Sequence, residues 1–566
     1  MFKGSTNVLP DFFVLGDFLR KSLKQRYITS AIILLVATII VKIISAVYKI
    51  PLTNYIGATG RGYFSVAYNF CMPVHALTMG AFPLALTRLV SSYEAKGDRL
   101  RIKALRKAAK KLFFIVGIIG LAVILITAKP YANLIASSPK SVYTILALAP
   151  SIFFSCLCAC HRAFAEGFLD MKATAVSQTI EAFCKMIFGL LLARLSMSWL
   201  YGLYVENGLV LGISVMSDEE ALSVIYPITS ACAMLGVTIG SLAGYIFAAA
   251  YTSIKYNILP KDKVNTKSAY SELLTFSAGL VGATVVQSLA NFADTSSIQY
   301  CLSLCNPDAL SAQYVSAGNE IFTYVFGIYA VALDFKNLVP AAVMALGVSA
   351  VPAVSAAFEN GQERFSPLLT SIFKYTVIMS VGGGIAICLF YNDFLSMFYS
   401  GSNDDIVQNA GKILFLFGAT SLPCAAASTS VYCAQALGYS KQTILPFAVS
   451  AVVRVVLNFI LITNDDINIL GSAISNFVGF LIILIWNMII IRKKTNAKFN
   501  YIEIFAKPII CASLAYFTTS SIRNSVSISM PDMLVFILSA VICLLSFGVL
   551  LVLMNCVSFK EIKSIK

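Results

Sequence analysis

Charge is what this sequence has least of. Only 12% of its 566 residues are Asp, Glu, Lys or Arg, about half the ~25% of an ordinary soluble domain. With 58% hydrophobic residues and a mean hydropathy of +0.81, the long apolar runs can be solvated only by lipid. Histidine is nearly absent: His75 and His161 are too few for a His-based metal site. No GxxxxGK[ST], HExxH or GxSxG pattern occurs, and no long polar stretch could house a nucleotide-binding domain. These absences argue against an ATP-driven pump. The acidic or histidine clusters expected of a sugar or acyl transferase at a membrane interface are missing too. The expectation is a protein that is not an enzyme, has no resident metal or cofactor, and draws any coupling from an ion, sodium or proton, or from membrane potential.

The net charge of +15 is no sign of nucleic acid, because the basic residues cluster in short loops between apolar runs. Most of the 14 cysteines, such as Cys156, Cys158, Cys160 and Cys511, lie inside those runs, where a free thiol acts as a small hydrophobe. Cys301 and Cys305, at the end of a span, are the pair whose position would permit a bridge or a ligand.

A helix needs about 20 apolar residues to cross the hydrocarbon core. Runs of that length predict fourteen spans, near 29–50, 63–91, 112–129, 142–164, 173–195, 222–252, 269–300, 321–357, 367–391, 409–433, 443–463, 468–491, 503–521 and 533–556. Residues 1–28 carry no evident cleavable signal and read as a cytoplasmic arm. The loops EAKGDRLRIKALRKAAKK, KYNILPKDKVNTK and IRKKTNAK and the tail KEIKSIK are basic and fall on one side. VENGLVLGISVMSDEE, YNDFLSMFYSGSNDD and ITNDDIN fall on the other. The positive-inside rule then places both termini in the cytoplasm.

Lys172, Thr174 and Lys185 recur 269 residues later as Lys441, Thr443 and Arg454, and Pro83 recurs as Pro352. That offset predicts two parallel repeats, 29–252 and 269–491, joined by a linker at 253–268 and followed by an addition at 492–566. A binding site is expected between them. The predicted fold is therefore an all-α polytopic membrane protein with two pseudo-symmetric six-helix lobes and two further C-terminal helices.

Charges inside spans cost roughly 3 kcal/mol each on insertion scales and mark functional or buried-polar positions. Lys42 and Lys49 are seven apart in span 1 and so nearly on one face, and span 2 begins beside Arg61. Glu181 and Lys185 are spaced for an intrahelical pair. Asp294 lies in span 7, Asp334 and Lys336 in span 8, and Arg454 with Asn458 in span 11. Each has an ordinary reading: Lys49 and Arg88 at span ends snorkel, Glu181 and Lys185 neutralise each other, and Asp334 and Lys336 sit at the outer rim. Arg454 has no acid in its own helix and needs a distant partner such as Asp294, or an anion. Together Lys42, Lys49, Arg61, Lys185, Lys336 and Arg454 outnumber the carboxylates, which predicts a cationic cavity and an anionic substrate, with diphosphate on a lipid the leading choice. Pro83, Pro340, Pro352 and Pro446 interrupt spans 2, 8 and 11 and are expected to kink them, either for packing or as hinges.

Several stretches resemble one family. YKIPLTNYIGATGRGYF, GAFPLALTRLVSSYEAKGD, RAFAEGFLDMKATAVSQTIEAFCKMIFGLLLA, NLVPAAVMALGVSAVPAVSAAF and INILGSAISNFVGFLIILIWNMIII are similar to the stage V sporulation protein B and polysaccharide-export type transporters. These belong to the multidrug/oligosaccharidyl-lipid/polysaccharide (MOP) exporter superfamily. Ala173, His161 and Ala163 depart from its usual pattern. The resemblance implies a two-lobed transporter related to the lipid II flippases, in which rocking lobes carry an undecaprenyl-diphosphate-linked saccharide, a peptidoglycan precursor or polysaccharide unit, across the bacterial cytoplasmic membrane. It implies basic cavity positions at Lys49, Arg61 and Lys336, and polar or coupling roles for Glu181, Asp294, Asp334 and Asn458. The expected partners are that lipid and the bilayer, with a monomeric transporter that meets cell-wall synthesis proteins and no nucleic acid. Two rivals stand beside this reading: a cation-coupled multidrug antiporter, and a non-transporting scaffold for wall or spore assembly.

Overall fold

The computed structural model describes residues 9–256, 266–359, 365–399, 404–439, 441–526 and 531–557; most of the linker and the basic C-terminal tail lie outside them. The chain is helical almost throughout. The first lobe comprises α1 (Leu9–Ala76), α2 (Phe82–Ala95), α3 (Arg99–Leu134), α4 (Ser141–Glu166), α5 (Lys172–Asn207) and α6 (Asp218–Lys255). The second comprises α7 (Thr266–Ser303), the short α8 (Pro307–Gln313), α9 (Ile321–Lys336), α10 (Leu338–Glu359), α11 (Phe365–Tyr399), α12 (Asp404–Ala436), α13 (Ile444–Leu461) and α14 (Gly471–Thr495). α15 (Lys507–Val526) and α16 (Asp532–Leu553) pack on each other and, through α15, on α11. Among the described residues the strands are limited to a hairpin capping α5 and α6, β1 (Leu209–Val210) and β2 (Ile213–Ser214), antiparallel with Leu209 opposite Ser214. It lies between α5, which runs to Asn207, and α6, which begins at Asp218.

Among the described residues eleven stretches are long and apolar enough to cross a membrane. The first of these, Val36–Ala95, passes twice, because α1 doubles back at Gly57, whose φ of 63° few residues other than glycine adopt readily. The rings of Tyr48 and Phe64 accordingly meet at 6.2 Å, far closer than a straight helix would bring them. α5 and α7, with 36 and 38 residues, are of spanning length as well. Fourteen passages result. The segment 51–62, read as a loop from its sequence, is helical apart from this one-residue turn.

Proline chemistry explains several further irregularities. Pro340 has no N–H to offer the carbonyl of Lys336, and span 8 breaks there, between α9 and α10. Two π-helical turns, Leu77–Ala81 and Ile502–Ala506, each end two residues before a proline, Pro83 and Pro508. A widened turn accommodates a missing donor and the ring beside it. Pro446 lies buried in the first turn of α13, where a missing N–H is tolerated. Pro352 falls within α10, but its side chain is outside the described residues.

The lobes meet most tightly where α1 crosses α9. A Cβ on Gly327 would stand 1.8 Å from the Ala58 carbonyl oxygen, and one on Gly62 2.0 Å from that of Thr323. Only glycine admits such backbone contact. Beside it Lys140 pairs with Glu320 at 2.9 Å and Thr323 donates to Ser138 at 2.8 Å. At the basic-loop end, Arg101 and Tyr93 of the first lobe both reach Glu272 of α7, at 2.8 and 2.7 Å.

Loop-end polar groups order the basic end. Arg106 donates to the carbonyls of Thr252 and Tyr256, satisfying the C-terminus of α6 and its dipole. In the α4–α5 turn, Asp170 accepts from Lys255, Tyr251 and Tyr256. Burial raises the pKa of this carboxyl, but those hydrogen bonds outweigh it and hold the group below its ordinary range. Its stabilising contribution is therefore complete above the unfolded-state value of about 4 and disappears as pH falls through the lowered folded value. Thermal melts across pH 2–6 (a range chosen around that value,) are expected to show this loss, and Asp170→Asn to flatten that part of the profile.

Candidate substrate-binding site

Two polar clusters inside the helix bundle hold most of the expected site residues. The first spans the lobes at the α1–α9 crossing. Lys49 and Arg61, on the two arms of α1, come together because Gly57 folds the helix back, and each binds one oxygen of Asp334 on α9. Arg61 is buried at 3% exposure, with its guanidinium 5.2 Å from the Phe64 ring, while Nε and Nη1 have no hydrogen-bond partner among the described residues. Lys49 and Asp334 are only partly covered, so solvent reaches this cluster from their side. Lys185 of α5 completes it. Its ammonium donates to the Tyr68 hydroxyl at 2.7 Å and lies 5.1 Å from the rings of both Tyr48 and Tyr68. Such an aromatic cage holds a cation without neutralising it. Two cations therefore pair with one carboxylate, and a third, Lys185, is held beside them by tyrosine rings.

The structure corrects the expected Glu181–Lys185 pair. Glu181 is taken by Arg162 of α4 at 2.8 Å, and Arg162 also donates to Ser177 at 2.7 Å. Arg outcompetes Lys here because its planar fork reaches a carboxylate and a hydroxyl at once. Arg162 was legible as a charge within predicted span 4, yet it did not figure among the expected site residues. Tyr48 and Tyr68 gave no signal, since tyrosines abound in this chain. Lys42 is exposed on α1 and makes no ion pair among the described residues, so it stands apart from the cluster.

The second cluster lies within the second lobe. Arg454 of α13 pairs with Asp294 of α7 at 2.8 Å, both nearly fully buried, which supplies the distant partner its sequence called for. Asn458, one turn on, donates to Asp294 Oδ1 at 3.2 Å and to Ser297 at 2.8 Å, and accepts from Ser475 of α14. Lys336 belongs here and not to the first cluster or to an outer rim. Two residues after Asp334, it points about 200° around the helix. It is buried at 2% exposure, with the rings of Phe417 and Phe480 at 4.5 and 5.5 Å and Asn476 Oδ1 at 3.4 Å.

Cys301 and Cys305 form no bridge. Both thiols are free, and Cys305 donates to the Ile462 carbonyl at 3.0 Å. An apolar groove of about 490 Å³ opens on the flank of the second lobe, between α11, α12, α14 and α15, lined by Gly384, Cys388, Phe415, Phe477, Tyr516 and Phe517 among others.

Comparison with known proteins fits this geometry. The family described as polysaccharide biosynthesis protein matches residues 28–217. The lipid II flippase MurJ of Bacillus subtilis (strain 168) is 21% identical over 493 residues, covering 85% of this chain and 84% of that protein. Stage V sporulation protein B of the same organism is 20% identical over 519 residues, covering 89% and 90%. Among solved structures, lipid II flippase MurJ in an inward closed conformation superposes with a TM-score of 0.65 at 16% identity, covering 92% of this chain and 98% of the other. An inward-facing multidrug resistance MATE family transporter of the MOP superfamily gives 0.61 at 12% identity, covering 80% and 94%. Two of these are named for transport, one as a flippase and one as a multidrug resistance transporter. The chain is thus a multi-pass membrane protein with the fold of these transporter structures, similar along most of its length to the lipid II flippase MurJ and to stage V sporulation protein B.

Proposed function

We propose that this chain flips an undecaprenyl-diphosphate-linked saccharide, a peptidoglycan precursor or polysaccharide unit, from the inner to the outer leaflet of the bacterial cytoplasmic membrane by alternating access between its lobes. The observation that carries the reading is the surplus of positive charge at the lobe crossing: Lys49, Arg61 and Lys185 gather about Asp334, while the nearby Glu320 and Glu181 are taken by Lys140 and Arg162. A diphosphate offers the anionic oxygens that such a group binds by charge-assisted hydrogen bonds. Asp334 holds the site together when it is empty, and an incoming diphosphate competes with it for Lys49 and Arg61. The apolar groove beside α15 suits a polyprenyl tail that stays in the bilayer while the head crosses. Basic loops on one side put both termini in the cytoplasm. A transporter of organic cations would want the opposite polarity at this position.

Binding tests the reading directly. Detergent-purified protein titrated with undecaprenyl diphosphate is expected to bind it more tightly than undecaprenol, with an affinity that weakens as salt rises. Lys49→Ala is expected to cost about tenfold, the low end of a hydrogen bond to a charged group. Equal affinity for the alcohol would remove the assignment of this site.

A further inference from the structure

Lys336 is an anomaly that substrate binding does not use. Its ammonium is buried among Phe417, Phe480 and Asn476, and no carboxylate pairs with it among the described residues. Among the described residues the charged and titratable groups that face it are Tyr329 on its own helix, Cys424 from α12, Arg454 from α13 and Asp294 from α7, and α14 contributes Asn476 and Phe480. From α1, Lys49 and Arg61 go to Asp334 instead. Within this second cluster Asp294 is already engaged by Arg454. Two cations thus share one buried carboxylate. An arginine does not lose its proton in a protein, whereas a buried lysine does so readily. The cluster can shed its uncompensated charge in one way, through the ε-amine of residue 336.

The position of that amine gives its protonation a mechanical consequence. Lys336 is the last residue of α9, and its backbone carbonyl is the one that Pro340 leaves without a donor, where span 8 breaks. Asp334, on the same turn, bridges to both arms of α1 across the lobe boundary. A charge gained or lost at 336 therefore acts at a helix break joined directly to the inter-lobe bridge.

We infer that Lys336 is the proton-binding site that couples transport to a proton gradient: its amine takes up a proton when the second lobe opens to the outer side and releases it to the cytoplasm as the lobes reset. One proton enters per cycle, and no bond other than N–H is made or broken. The inference rests on the transport reading above, and it assigns the coupling role to a residue outside the substrate cluster.

The test uses full-length protein in proteoliposomes carrying an undecaprenyl-diphosphate saccharide, with and without an imposed inward proton gradient at zero membrane potential. Native protein is expected to speed up severalfold with the gradient. Lys336→Met is expected to lose that response while undecaprenyl diphosphate binding in detergent is unchanged. Lys336→Arg keeps the charge and the aromatic contacts but cannot release a proton, so its rate is expected to be low and indifferent to the gradient; it serves also if the methionine variant does not insert. A gradient response that survives in either variant, or native transport that ignores the gradient, overturns the coupling role and leaves the flippase reading standing. Native protein that moves no substrate under any gradient sinks the flippase reading, and the proton role with it.

Discussion

Arg454→Leu is expected to destabilise the protein by about 3–5 kcal/mol, the range for removing one partner of a buried ion pair. The cost comes less from the lost attraction than from what remains. Asp294 would stay buried with one Asn458 hydrogen bond in place of a guanidinium at 2.8 Å. Arg454 also fills space: a Cβ on Gly479 would stand 2.5 Å from its aliphatic carbons, and its guanidinium lies 5.2 Å from the Phe480 ring. The double substitution Arg454→Leu with Asp294→Leu removes both charges and is expected to recover most of the loss, because apolar pairs of similar volume replace buried ion pairs with little penalty. Thermal unfolding in detergent of the two single variants and the double variant reads this cycle. A double variant as unstable as the sum of the singles would show that the pair is not the unit.

Arg61→Ala is expected to reduce transport about 100-fold, corresponding to roughly 3 kcal/mol at 1.4 kcal/mol per factor of ten. Arg61 is the nearly buried member of the first cluster, bound to Asp334 across the lobes and still holding two donor nitrogens without partners among the described residues. Lysine in its place keeps the charge but loses the fork, so Arg61→Lys is expected to restore only part of the rate. Insertion and melting temperature measured alongside separate a lost site from a lost fold. An alanine variant that folds and transports at the native rate would remove Arg61 from the site.

The membrane-spanning architecture was legible because it follows from length and hydropathy, and lipid gives these two quantities few alternatives. Arg454 was legible as well: an arginine with no acid in its own helix demands a partner, and Asp294 meets it. Helix-local spacing misled at Lys185. The i,i+4 rule finds neighbours within one helix, whereas Arg162 reaches Glu181 from another. Asp334 and Lys336 were both read at the outer rim of span 8, but α-helical geometry sends them into different clusters. A reversal between spans 1 and 2 was expected, but not its form. A single glycine carries the turn, and residues 51–62 are otherwise helical, so nothing in their composition announced that Lys49 and Arg61 would share one carboxylate.

The central claim is that this interior selects an anionic lipid-linked head. The measurement closest to it compares two cargoes in the same proteoliposomes: flipping of an undecaprenyl-diphosphate saccharide, followed by its accessibility to an external probe, and efflux of a lipophilic organic cation. The account predicts that native protein moves the diphosphate lipid and leaves the cation at the protein-free leak rate, and that combining Lys49→Ala, Arg61→Ala and Lys185→Ala abolishes flipping. Cation efflux above leak without any flipping of the diphosphate lipid would contradict it.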